Sequence, residues 1–132
     1  MIVIDSSAII AIAANEPMAR ECEKVLETET SVLISAGTLT EVLIVAARRK
    51  LIRHVDDVIN ASVTQKLDLT SARAHLAAAA YARWGKGFHK AALNFGDCFA
   101  YATAKEFDCP LLYVGDDFAQ TDVSSAISAV AT

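Results

Sequence analysis

The chain has 132 residues, a formal net charge of −4 and a hydrophobic fraction of 54%. That length suits a single domain with a real apolar core and no need of disulfide or metal staples. The acidic balance argues against a protein whose main task is to coat nucleic acid, because phosphates demand clustered positive charge. It leaves room for an enzyme that holds acids in its site and meets a polyanion with a few basic residues.

Ile2-Val3-Ile4 opens the chain as a β-branched run and reads as a buried strand. Asp5 ends it, and Ser6 and Ser7 are suited to cap a helix over residues 8–14. This apolar stretch is too short to span a membrane, and no basic segment precedes it as in a secretory leader, so a cytoplasmic protein is expected. Pro17 sits early in a second helix that runs to about residue 29. Residues 32–34 form a second strand, and Thr38 opens a helix that continues to Lys50. Residues 52 to 66 read as a further helix, followed by a short third strand over residues 66–69.

Residues 71–84 form an Ala-rich helix whose Ala77 to Ala80 run suits close packing or self-association. Gly85-Lys86-Gly87 breaks it, and a loop leads to Asn94. Residues 95–107 are helical, Pro110 stops the chain from continuing so, and residues 111–114 form a strand. Gly115-Asp116-Asp117 is a turn, and residues 126–130 read as a last edge strand. Strands alternating with helices predict an α/β domain with a parallel sheet covered on both faces. Cys22, Cys98 and Cys109 have neither disulfide nor zinc spacing and read as small buried hydrophobes in a reducing compartment.

In an open parallel sheet, ligands sit beyond the carboxyl ends of the strands where the strand order reverses. Asp5 directly follows the first strand, and Asp116 follows the 111–114 strand after one glycine. Glu41 and Asp97 lie near the starts of the helices at residues 38 and 95. On this topology all four acids share one edge of the sheet. Each also has an ordinary reading. Glu41 has the spacing of a capping box with Thr38, Asp97 suits the positive end of its helix, and Asp5 and Asp116 suit turns. Jointly, clustered carboxylates raise one another's pKa unless a cation neutralises them. Oxygen ligands without Cys or His favour Mg²⁺ or Mn²⁺. Such ions make water nucleophilic and stabilise charge on a phosphodiester.

The ordered pieces Met1-Ile2-Val3-Ile4-Asp5-Ser6-Ser7-Ala8, Ile34-Ser35-Ala36 leading to Glu41, Leu93-Asn94-Phe95-Gly96-Asp97-Cys98, and Leu111-Leu112-Tyr113-Val114-Gly115-Asp116-Asp117-Phe118 with Thr121-Asp122 span essentially the whole chain. Together they resemble a PIN-domain ribonuclease of the VapC toxin type. The resemblance implies a three-layer α/β/α sandwich with strand order 3-2-1-4-5. It also implies Mg²⁺-dependent cleavage of RNA, a homodimer, and inhibition by a small VapB-like antitoxin. Carried over by motif, Asp5, Glu41, Asp97 and Asp116 match the acidic quartet, and Ser7 matches a small hydroxyl beside the metal. For the last acid, Asp117 and then Asp122 follow Asp116 in order of preference. The Gly85-Lys86-Gly87 loop matches, whereas the proline expected after His89 is Lys90.

RNA contact is expected from Lys86, His89 and Lys90, with Trp84 or Phe88 available to stack on a base. The second basic cluster, Arg48, Arg49, Lys50 and Arg53, also suits a helix C-terminus, and Trp84 suits the core. Three competing readings fit less well. A phosphatase using Asp5 as nucleophile wants a second Asp where Ser7 stands. A signalling receiver wants its acids elsewhere, since Asp97 starts a helix. A non-catalytic PIN interaction module has no need of the full quartet.

Overall fold

The computed structural model describes residues 1–127. In chain order the elements are β1 (Ile2–Ile4), α1 (Ser6–Ala13), α2 (Ala19–Thr28), β2 (Val32–Ser35), α3 (Ala36–Arg49), α4 (Ile52–Ser62), β3 (Gln65–Leu67), α5 (Ser71–Trp84), α6 (Phe95–Glu106) and β4 (Leu111–Leu112). The strands pair in parallel in the order β3-β2-β1-β4. Ile2 faces Val32 and Val3 faces both Leu33 and Leu111, so β1 is central. Beyond β4, Ser125 bridges to Leu111 in parallel, where the expected fifth strand begins. The rest of that expected strand, from residue 128, lies outside the described residues.

The apolar runs of β1, β2 and β4 lack polar alternation because both faces of the sheet are covered. Successive side chains still point to opposite faces. Ile2, Ile4, Val32, Ile34 and Leu112 pack with Ile9, Cys22, Val42, Val55 and Ile59 on the side of the first four helices. Val3, Leu33 and Leu111 pack with Ala77, Ala80, Leu93, Ala100 and Ala104 on the side of α5 and α6. Each fully buried aliphatic side chain contributes about 1.5–3 kcal/mol, so this double-sided core is what holds the strand ends in place. Trp84 belongs to the core: it is buried, and its indole N–H donates to the Tyr101 hydroxyl at 2.8 Å.

Several boundaries differ from the sequence reading. Helix α1 starts at Ser6 because Asp5, in extended backbone (φ −91°, ψ 158°), is itself the cap and accepts from the Ser7 N–H. Helix α2 starts only at Ala19, after Met18, which offers no side-chain cap. Helix α3 starts two residues before Thr38 because Ser35 caps it through the Gly37 N–H. It stops at Lys50, which adopts the left-handed conformation at φ 57°. The helix after it ends at Ser62, and the short third strand follows at Gln65–Leu67. Strand β4 keeps only Leu111–Leu112, because the Val114 N–H turns from the sheet to a serine hydroxyl of α1.

Candidate active site

The order reverses at β1, so the crevice lies at the carboxyl ends of β1 and β4. Asp5 stands there. Its N–H still pairs with the Leu112 carbonyl at 2.9 Å, and its carboxylate caps α1. Ser7 fastens this corner. Its hydroxyl donates to Asp5 Oδ2 at 2.6 Å and accepts from the Val114 N–H at 3.0 Å. The small hydroxyl singled out beside Asp5 thus joins the ends of the two strands. The second oxygen, Asp5 Oδ1, is buried without a hydrogen-bond partner.

Asp97 lies in the first turn of α6 and forms a reciprocal capping box. The Asn94 side chain accepts from the Asp97 N–H at 2.9 Å, and Asp97 Oδ2 accepts from the Asn94 N–H at 3.0 Å. Glu41 is on α3, past the first turn, so it forms no capping box with Thr38. Its Oε1 accepts instead from the Ser6 hydroxyl at 2.8 Å. Gly96 makes room for the Glu41 side chain: a Cβ there would run into its carboxylate. A common pattern emerges. One oxygen of Asp5, Asp97 and Glu41 is held by a protein donor, and the other has no protein donor among the described residues.

The electrostatics follow from burial. Asp5 is 2% exposed and Asp97 6%. Burial, opposed by the Ser7 hydrogen bonds and reinforced by the Glu41 charge, pushes Asp5 up to about 6. Burial also pushes Asp97 up to about 7, against the pull of the Asn94 N–H, with Asp5, Asp117 and Glu41 adding repulsion. Two carboxyls are therefore held where ionisation is costly without a compensating cation.

The turn acids separate. Asp116 and Asp117 are both exposed after Gly115, whose φ of 95° makes the turn. It is the Asp117 charge that acts on Asp97. Asp122 is engaged elsewhere: it accepts from the Tyr101 hydroxyl at 2.5 Å and pairs with Lys105 at 3.3 Å. The structure thus brings Asp5, Glu41 and Asp97 together with the 115–117 turn alongside, and it sets Asp122 apart.

Among the described residues no three acids, histidines or cysteines form a ready-made metal cage. Mg²⁺ does not need one, since it commonly takes one or two carboxylates and keeps several waters. The orphaned, buried Asp5 Oδ1 beside an all-oxygen donor set fits such an ion.

In the loop before α6, Lys86 and Lys90 are exposed, and among the described residues neither is in an ion pair. His89 has a structural role: its Nδ1 accepts from the Ala91 N–H at 2.9 Å, and its ring meets Trp84 edge-on at 4.8 Å. Phe88 is 64% exposed. Sequence reasoning missed Ser6, the clearance at Gly96, and Phe95, which is 75% exposed next to the site. The Asp-Ser-Ser run hinted at the first, and nothing local marks the other two.

The PIN domain family model matches residues 2–124, and the chain belongs to that family. Within it, curated relatives of nearly full length are VapC ribonucleases. Ribonuclease VapC30 of Mycobacterium tuberculosis is 36% identical, over 93% of this chain and 96% of the relative. Ribonuclease VapC36 of the same organism is 41% identical, over 92% of this chain and 90% of the relative. Among solved structures, the sarcin-ricin loop cleaving toxin VapC20 of M. tuberculosis superposes with a TM-score of 0.75 at 17% identity, covering 93% of this chain and 96% of that one. A toxin–antitoxin complex from Klebsiella pneumoniae contains a chain that gives 0.68 at 18% identity, covering 92% of this chain and 93% of that one. These two likenesses support the parallel three-layer fold.

Proposed function

We propose that the chain is a Mg²⁺-dependent endoribonuclease, the toxin of a type II toxin–antitoxin pair, with Mn²⁺ able to replace Mg²⁺. The observation that carries this reading is the buried, partnerless Asp5 Oδ1 beside Asp97 and Glu41. The VapC names of its relatives support RNA as the substrate.

Asp5 and Asp97 would hold the ion, with Glu41 and an acid of the Asp116-Asp117 turn completing the acidic shell. When bound, the ion supplies Lewis acidity, which makes water nucleophilic near neutral pH and stabilises charge on the phosphodiester. The protein's own part is orientation. Ser7 and the α1 cap fix the Asp5 carboxylate, Ser6 fixes Glu41, and the Asn94 N–H fixes Asp97. Each of these bonds immobilises one oxygen and leaves the other without a protein donor among the described residues, so little reorganisation would remain when substrate arrives. Lys86 and Lys90, exposed on the loop that leads into α6, would meet the RNA backbone.

The antitoxin partner is inferred from the family and from the Klebsiella complex, and a homodimer from the resemblance. An apolar groove of about 510 Å³ between α5 and α6, lined by Leu69, Ala77, Tyr81, Phe95 and Phe99, supports a macromolecular partner. A cytoplasmic site of action follows from the RNA substrate, and among the described residues no helix is long and apolar enough to cross a membrane.

The test is purified protein with total RNA in Mg²⁺, Mn²⁺ or EDTA, beside Asp97→Asn. Cleavage should require the metal and disappear in the variant. RNA left intact by the parent in Mg²⁺, or cut equally by Asp97→Asn, would overturn the assignment. Light scattering on the same samples reads the dimer, and a cognate VapB-like antitoxin, once cloned and added, should suppress cleavage.

A further inference from the structure

Asp122 does not join the acidic cluster, yet it is among the most heavily engaged side chains outside it. The Trp84 indole donates to the Tyr101 hydroxyl at 2.8 Å, and that hydroxyl donates to Asp122 Oδ1 at 2.5 Å. Lys105 approaches Asp122 Oδ2 at 3.3 Å and Arg83 at 3.8 Å. Arg83 in turn lies over the Trp84 ring at 4.6 Å. Elements α5 and α6 thus converge on one carboxylate of the segment that follows β4. With the Tyr101 hydroxyl as its leading partner and Lys105 beside it, Asp122 is held below the usual carboxylate range, so it stays charged.

Two features connect this clamp to the site. Tyr101 lies four residues after Asp97 on α6, one turn along the same helix face. Asp122 closes the segment that begins at Gly115 and carries Asp116 and Asp117. Within that segment Phe118 is buried, its ring 5.1 Å from Tyr113, and the Ala119 N–H donates to the Asp116 carbonyl at 3.1 Å. The Thr121 N–H donates to the Phe118 carbonyl at 3.0 Å. The loop is therefore pinned at Phe118 in the core and at Asp122 on α6. The backbone that carries its two exposed acids is thus held on the far side of Gly115.

We infer that Asp122 is a positioning residue, tied through Tyr101 to the helix that bears Asp97, and that it sets the Asp116-Asp117 turn beside the divalent-cation site. The inference rests on the metal-site reading above. It assigns to Asp122 a role through the loop, and no contact with the ion or the RNA.

The experiment is Mn²⁺ binding to the purified full chain by calorimetry, with thermal unfolding of every variant in EDTA. Asp122→Ala should weaken Mn²⁺ binding about tenfold. Tyr101→Phe, which keeps the ring and removes the hydroxyl, should weaken it several-fold. The control is Arg73→Ala. Arg73 also ties α5 to α6, through Glu106 at 3.2 Å, but away from the loop, so it should lower the unfolding temperature and leave Mn²⁺ affinity unchanged. If Asp122→Ala does not fold, Tyr101→Phe decides alone. Parent-like Mn²⁺ affinity in Tyr101→Phe, or in a folded Asp122→Ala, while Asp97→Asn loses binding, overturns this inference and spares the metal site. Unchanged binding in Asp97→Asn overturns the metal site itself.

Discussion

Replacing Asp97 by Asn tests the central electrostatic argument without any RNA. The substitution removes the charge but keeps an oxygen that can accept from the Asn94 N–H, so the helix cap survives. In the folded, metal-free protein Asp97 rises from its ordinary value of 3.8 to about 7. At roughly 1.4 kcal/mol per pH unit, that rise sets a ceiling of about 4 kcal/mol on the cost of ionising this buried group. Burial is the leading cause of the rise, and the Asn amide is still a buried polar group, so a smaller gain of about 1–3 kcal/mol is expected at pH 8 in EDTA.

The direction is set by linkage. The folded pKa lies above the unfolded one, so the folded state binds more protons between about 4 and 7. Stability from this group is complete below the unfolded value and is lost as pH rises through the folded value. Asp5 acts in the same direction through about 6. Metal-free parent should therefore lose stability from pH 4 to pH 8. Asp97→Asn should lose less, with the two converging near pH 4. On the proposed ion site, excess Mg²⁺ at pH 8 should then stabilise the parent and not the variant, which lacks the Asp97 charge. Urea unfolding across this pH range measures all three effects. If Asp97→Asn is less stable than the parent at pH 8 in EDTA, the burial argument is refuted.

Gly96→Ala should leave the fold close to parent stability, since Ala favours a helix over Gly by about 0.5–1 kcal/mol. Its Cβ displaces the Glu41 carboxylate, so cleavage should fall at least tenfold, and undiminished cleavage would show that Glu41 has no part in it. Because the Asp117 charge acts on Asp97, Asp117→Asn should raise the Mg²⁺ concentration needed for half-maximal cleavage more than Asp116→Asn does. The opposite order returns the fourth position to Asp116. Neutralising Lys86 and Lys90 together should weaken RNA binding and reduce the salt slope by about 0.7 for each single-strand phosphate these lysines neutralise. A slope equal to the parent's removes that loop from the RNA path.

Much of this protein is legible in short stretches of its sequence. The runs Ile2–Ile4 and Val32–Ser35 announce buried strands, and the extent of the Ser71–Trp84 helix follows from its composition and from Gly85. Such features depend on residues that are neighbours along the chain, where backbone preference and period suffice. The placement of Asp5 and Asp97 near one sheet edge follows from the topology of alternating strands and helices, and the ordered motifs carry the family. What the tertiary structure alone decided is how each acid is used. Ser6 and Ser7 read as helix caps, yet they hold Glu41 and Asp5, and Asp5 is the cap. Asp122 read as a third choice for the quartet, yet Tyr101 and Lys105 claim it. Each of these outcomes turns on bonds between groups far apart in sequence, such as Ser6 with Glu41 or Ser7 with Val114. Which oxygen of a carboxylate is held and which is left free is settled when the sheet, α3 and α6 pack together, and no local pattern encodes it.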